Sequence, residues 1–236
     1  MTRVRQNTKH SSKYKRLSYI TAWSEAKLRN FIREERYSKE RILLENGKMN
    51  EENMAILANE FDKGIVDWRE VSFWENNMGP RCAVHIDRIL LKSTLVYLHL
   101  GNNRLGSEGV RRLRALENHK TLVVLDLWNN DLGDTGVEYL ADVLPSTKLE
   151  RLKLGTNNIT DHGCQVLFAS LPSTMKDLDL FSSQLTSASV NVIAQALLST
   201  DPKLTNLNVG GENQISQVNR EMLEEIAKVH KCILEW

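Results

Sequence analysis

Between Leu122 and Leu144 the spacing of apolar positions changes its period part-way. Leu122, Leu125 and Leu127 alternate with other residues and run out at Asn130 and Leu132, the pattern of a short strand entering a turn. Gly136, Val137, Leu140 and Leu144 then recur at helical spacing. One unit therefore predicts a strand, a turn and a helix, and such a unit cannot bury its apolar side alone. The same pattern begins at Trp68, Leu95, Leu122, Leu149, Met175 and Leu204, at intervals of 27, 27, 27, 26 and 29 residues. A second apolar column reads Val71, Leu98, Leu125, Leu152, Leu178 and Leu207, and a third reads Phe73, Leu100, Leu127, Leu154, Leu180 and Val209. A polar column follows: Asn76, Asn103, Asn130, Asn157, then Ser183 and Glu212. The next apolar column is Met78, Leu105, Leu132, Ile159 and Leu185, with Ile215 displaced by one residue.

These columns, with the helix-start motifs Leu132-Gly133-Asp134-x-Gly136-Val137 and Gly163-Cys164, resemble the ribonuclease-inhibitor-like class of leucine-rich repeats over residues 65–236. The resemblance implies an α/β solenoid, a right-handed horseshoe with parallel strands on the concave side and helices on the convex side. It implies a fold and not a partner, because this architecture hosts many unrelated ones.

The repeated residues have physical roles. Inward leucines stack between coils, and truncating one to Ala should cost roughly 2–5 kcal/mol. The recurrent Asn sits where the chain leaves the strand, with an amide able to donate to and accept from turn backbone that is otherwise buried and unpaired. Gly109, Gly136 and Gly163 suit tight turns or close coil packing. Ser107, Asp134, Asp161 and Ser187 are placed to cap the helices that follow.

Before the repeats, residues 1–18 form a basic, acid-free arm carrying Arg3, Arg5, Lys9, Lys13, Lys15 and Arg16. Its composition predicts a solvated, disordered segment. Two sharper readings stand beside that one, a mitochondrial transit segment and an arm that touches nucleic acid or an acidic protein. Residues 19–64 are expected to form a helical cap over the open first coil. Its first helical stretch spans 20–46, with Leu28, Phe31 and Ile32 on one face and Ile42 and Leu43 returning to it, and with Glu35 and Lys39 interrupting that face so that a break into two helices is the alternative. Its second starts at Asn50, carries Met54, Leu57, Ala58 and Phe61, and ends near Gly64. Residues 65–236 hold about six units, the first degenerate, the last with a C-terminal cap. After the insertion Gly210-Gly211-Glu212-Asn213, a helix with Val218, Met222, Ile226 and Val229 is expected, then a closing strand in Cys232–Trp236. This end is similar to that of the leucine-rich domain of tropomodulins, and the likeness carries no actin binding over.

Strand residues two, four and six after each unit start alternate with the leucines and project to the concave side. Row six reads Trp74, Gly101, Trp128, Gly155, Phe181 and Gly210. Three large rings on an open face suit partner anchoring, since interface hot spots favour aromatics. The competing reading lays each ring over the neighbouring glycine to cover backbone. Row two adds Tyr97 and Arg151, and row four adds His99, Asp126, Lys153 and Asp179. Ser72, His99 and Asp126 fall side by side in row four, an order that mimics a hydrolytic triad. A smooth sheet supplies neither the shielded pocket nor the oxyanion donors that such chemistry needs, so no enzyme is expected. His119 and His162 are read as solvated turn or helix-end residues, and Arg111, Arg112 and Arg114 as a solvated convex patch.

Composition narrows the rest. Net charge is +1 and the apolar content is 41%, which supports one elongated domain and gives no global field toward nucleic acid or membrane. No apolar run reaches membrane-span length, and no secretory start is expected. Cys82, Cys164 and Cys232 are far apart and lack zinc-ligand spacing, so no metal and no cofactor is expected. Three unpaired cysteines fit a reducing, cytoplasmic compartment. The function expected is a non-enzymatic protein–protein interaction module. Its partner would dock on Trp74, Tyr97, His99, Asp126, Trp128, Arg151, Lys153, Asp179 and Phe181. The alternative is a structural or assembly subunit of a larger intracellular complex, cytoskeletal, ciliary or mitochondrial.

Overall fold

The computed structural model describes residues 22–37 and 41–236; the basic arm expected at 1–18 lies outside them. Eight strands pair in chain order, every pair parallel: β1 (Arg41–Leu43), β2 (Glu70–Ser72), β3 (Tyr97–His99), β4 (Val124–Asp126), β5 (Arg151–Lys153), β6 (Asp177–Asp179), β7 (Asn206–Asn208) and β8 (Ile233–Glu235). Helices alternate with them: α1 (Glu25–Glu35), α2 (Glu51–Asp62), α3 (Ala83–Lys92), α4 (Gly106–Arg111), α5 (Gly133–Ala141), α6 (Asp161–Ala169), α7 (Val190–Leu198) and α8 (Gln217–His230). The register is constant, so Val71, Leu98, Leu125, Leu152, Leu178 and Leu207 stand in one row. All four inward columns from Trp68 to Ile215 are at most 4% exposed. The result is a solenoid whose core is a stack of leucine rungs between one sheet and one layer of helices.

The N-terminal segment departs from expectation. Helix α1 ends at Glu35, and Arg41–Leu43 is a strand rather than the end of a helix through residue 46. Ile42, Leu44 and Met49 are buried in the inward columns, β1 pairs with β2, and α2 packs on α3. Residues 41–64 therefore make a further coil, with Gly47 where later coils carry Asn. Among the described residues α1 lies across the end, seating Leu28, Phe31 and Ile32 in the core, with Trp23 buried over Gly47. Its last turn accepts a hydrogen bond at the Glu35 carbonyl from the Trp68 indole N–H, at 3.1 Å.

The asparagine column forms a ladder. The Asn103 amide nitrogen donates to the carbonyls of Phe73, Leu100 and Gly101 at 3.0, 2.8 and 3.1 Å. Its oxygen accepts the N–H groups of Asn76 and Met78 in the preceding coil, at 3.1 and 3.0 Å. Asn76, Asn130 and Asn157 repeat the arrangement. In the last full coil the rung is Asn213 rather than Glu212, because the added Gly211 (φ +75°) shifts the loop by one residue. Ser183 leaves a gap, its buried hydroxyl without a partner.

The expected helix caps serve a different purpose. Helices α4 and α5 start right after Leu105 and Leu132, so Ser107 and Asp134 lie inside the first turn. Asp134 reaches sideways instead and accepts the Thr160 N–H and hydroxyl of the next coil at 2.8 and 2.5 Å. Asp161 does the same to Thr186 at 2.8 and 2.6 Å and also accepts from Ser189. Ser187 accepts the Ser216 N–H at 3.2 Å. The cap of α6 is Thr160, bound to the His162 N–H at 3.2 Å. Gly136 permits this close stacking, since a Cβ there would come within 2.8 Å of Leu132 and 3.5 Å of Ser107 in the coil before.

Two further expectations are corrected. His119 is buried, its Nδ1 accepting the Leu122 N–H at 3.1 Å, because the segment before β4 folds inward under Ser93. Helix α8 buries Leu223 and Ala227 and turns Val218, Met222 and Val229 outward. Its inward side packs on α7 and β8. Cys164 is in the core as expected, and burial pushes its thiol up to about 12.

Candidate functional site

The concave face is built from rows two, four and six, and the constant register brings the sequence-predicted residues together. In row two, Tyr97 lies between Glu70 and Val124, and Arg151 lies between Val124 and Asp177. In row four, Ser72, His99, Asp126, Lys153 and Asp179 follow one another.

Row six takes its form from its glycines. The Trp74 ring lies over Gly101, where an added Cβ would sit 2.0 Å from it. Trp128 lies over Gly155 in the same way, at 2.9 Å, and the Phe181 ring lies over Gly211, also at 2.9 Å. Lying flat brings Trp74 onto Trp128 two strands away, with ring centroids 5.6 Å apart and planes 16° from parallel. Both indoles stay half-buried, and Phe181 and Tyr97 are 36% and 38% exposed. The rings thus cover glycine backbone and still offer a continuous apolar rail.

Row four fixes the start of that rail. Residues in row four accept the backbone N–H of the row-six residue two places on. Asp126 holds Trp128 at 3.0 Å, Asp179 holds Phe181 at 2.9 Å, and the Ser72 hydroxyl lies 3.4 Å from the Trp74 nitrogen. Burial raises the Asp179 carboxyl above its ordinary value, opposed by the Phe181 N–H and by Lys153. Ion pairs bridge neighbouring strands, Arg41 to Glu70 at 2.7 Å and Arg151 to Asp177 at 2.6 Å, and the His99 ring nitrogen lies 3.2 Å from Glu70. A polar hollow of about 230 Å³ opens among Arg151, Lys153, Asp177, Asp179, Asn206, Asn208 and Glu235.

The triad order does not become a triad. Ser72 is buried and donates its hydroxyl to Glu45 at 2.6 Å, away from His99, whose nitrogens face Glu70 and Asp126. Among the described residues no group of three His, Cys, Asp or Glu side chains is placed to hold a metal, and no helix is long and apolar enough to cross a membrane. Arg111 and Arg112 both pair with Glu108, as befits a solvated helix face.

Sequence reasoning missed two surfaces. One is a rim groove of about 580 Å³ along the strand exits, lined by Glu75, Asn77, Asn102, Arg104, Asn129, Asp131 and Asn158 among others. Its signal was the doubled Asn of each turn, since Asn102, Asn129 and Asn158 tolerate the left-handed backbone found there. The other is a convex hollow of about 350 Å³ between α6 and α7, including Phe168, Leu171, Val192 and Pro202.

A parallel sheet laid down in chain order, with a helix after each of its first seven strands and asparagine rungs at the turns, defines a leucine-rich-repeat solenoid. Residues 92–113, 118–141 and 146–168 match the family model described as leucine rich repeat. Similar solved structures include the leiomodin-1 actin-binding site 2, 19% identical with a TM-score of 0.45, covering 52% of this chain and 73% of that one. The Rad7 and Elc1 complex of yeast is 16% identical with a TM-score of 0.44, covering 77% of this chain and 60% of that one. No curated protein matches the chain.

Proposed function

We propose that this solenoid is a non-enzymatic interaction module that holds a protein partner on its concave face. Trp74, Trp128 and Phe181 are the anchors, Tyr97 flanks them, and His99, Asp126, Arg151, Lys153 and Asp179 set the register of the partner. The observation that carries this reading is the stacked pair Trp74–Trp128. Rings locked against glycine and against each other have already lost their rotamer freedom, so a partner that lands on them meets little further entropic cost. Mixed charge in rows two and four favours a protein surface over bare phosphate.

The test is affinity capture followed by mass spectrometry with native chain, Trp128→Ala and Lys153→Glu. A concave-face partner should be lost from both variants, with affinity down at least roughly tenfold. Lys153→Glu sets a carboxylate between Asp126 and Asp179, so its melting temperature is measured beside its capture and lost capture counts for this face only where the fold is retained. Equal capture by both variants would remove the case for this face.

A second reading, a subunit of a larger assembly, draws support from α8. Val218 and Val229 are 75% and 73% exposed on one stripe, beside Met222. Under that reading a doubly charged variant, Val218→Lys with Val229→Lys, releases the captured proteins and the concave variants do not.

A further inference from the structure

We propose that the concave face takes the chain's own basic N-terminal arm as an internal ligand, laid along the rows beside the Trp74–Trp128 rail. The inference rests on the concave face being the binding face, and it adds what competes for it.

Three observations point to this occupant. The first is where the arm joins the fold. The Trp23 N–H donates to the Gly47 carbonyl at 3.1 Å, and the Trp23 ring lies over Gly47 as Trp74 lies over Gly101. Gly47 is two residues past Glu45, which holds the row-six place in the first coil, where Asn46 donates to the Trp74 carbonyl at 3.0 Å. Trp23, near the start of the described residues, therefore lies close to the head of the rail, at the rim of the sheet.

The second is reach. A segment of the length of residues 1–21, when extended, spans up to about 70 Å. Eight strands at roughly 4.8 Å spacing measure about 34 Å from end to end. The arm can cross the whole face with length to spare.

The third is charge. The arm carries six cations and no acid before Glu25. In rows two, four and six of the described strands the carboxylates Glu45, Glu70, Asp126, Asp177, Asp179 and Glu235 outnumber the cations Arg41, Arg151 and Lys153. His99 adds a ring nitrogen 3.7 Å from Asp126. A lysine or arginine of the arm meets this excess of carboxylate on the face. Guanidinium groups also stack on indole faces, and the rail presents two. Tethering sets the arm's effective concentration in the millimolar range, so weak contacts suffice to hold it and a partner must displace it.

The experiment uses the full chain and zero-length carbodiimide coupling of lysine amines to carboxylates, read by peptide mass spectrometry on mixed isotopically light and heavy protein. Lys9, Lys13 and Lys15 should couple to Glu45, Asp179 or Glu235, within one chain only, with yields falling several-fold at about 0.5 M salt. A variant with Lys9, Lys13 and Lys15 changed to Gln should capture the partner several-fold better. Coupling spread evenly onto convex carboxylates such as Glu221 and Glu225, mixed light–heavy products, or unchanged capture by the Gln variant would each overturn the proposal. The coupling readout needs no partner. Arm coupling alongside unchanged capture by Trp128→Ala therefore sinks the partner reading alone, and absent coupling alongside lost capture sinks this inference alone.

Discussion

At the residue scale, stability rests on side chains that serve two coils at once. Asn130 donates to the Leu100, Leu127 and Trp128 carbonyls and accepts from the Leu105 N–H. Removing its amide strands buried backbone groups at about 1–3 kcal/mol each. Ser183 holds the same column and bonds to nothing. Chemical denaturation should therefore show Asn130→Ala losing at least about 2 kcal/mol and Ser183→Ala losing less than about 0.5 kcal/mol. His119 adds a pH dependence. Burial lowers its pKa below the ordinary value of 6.5, and the neutral ring has Nδ1 placed to accept the Leu122 N–H. The unfolded chain then binds the proton more readily than the folded one, so this contribution is complete above pH 6.5 and is lost as pH falls through the lower folded value. Melting between pH 7.5 and pH 5.5 should fall more steeply for the native chain than for His119→Asn, whose amide oxygen can accept the same N–H without titrating.

At the element scale, legibility followed the strength of the repeat. The strands β2 to β7 and their inward columns were readable because period-two leucines leave no other face to bury. Strand β1 was hidden. Ile42 and Leu43 extend the helical spacing of Leu28, Phe31 and Ile32, and Gly47 replaces the asparagine that marks every clear coil. The pairing with β2, a tertiary fact, decided the outcome. Row six was readable as an alternation of ring and glycine, but only packing shows that Trp74 and Trp128 lie over the neighbouring glycines and cover their backbone. Helix α8 went the other way, because its Val218, Met222 and Val229 stripe is the more regular apolar pattern and yet faces out. Leu223→Ala should lower stability by about 2–5 kcal/mol, whereas Val229→Lys should change it by under about 0.5 kcal/mol. Thermal melting of the two variants checks the orientation; equal losses would reverse it.

At the scale of the whole molecule, a stack of coils has two ends and one long face. Helix α1 covers the first end with Leu28, Phe31 and Ile32, while the last carries β8 and the outward side of α8. Coil-to-coil clamps such as Asp134 to Thr160 and Asp161 to Thr186 tie neighbours only, as a nearest-neighbour architecture requires. The face is different in kind. Trp74 reaches across the coil of Gly101 to its stacking mate Trp128, which lies over Gly155 in turn, so the row of rings repeats every second coil although the core repeats every one. Excising a single coil, Leu122 to Lys148, leaves every leucine rung a match for the next but sets Gly101 beside Gly155, with no indole between. The interior is indifferent to whether coils are odd or even in number; the row of rings and glycines keeps its pattern only when they are gained or lost in twos.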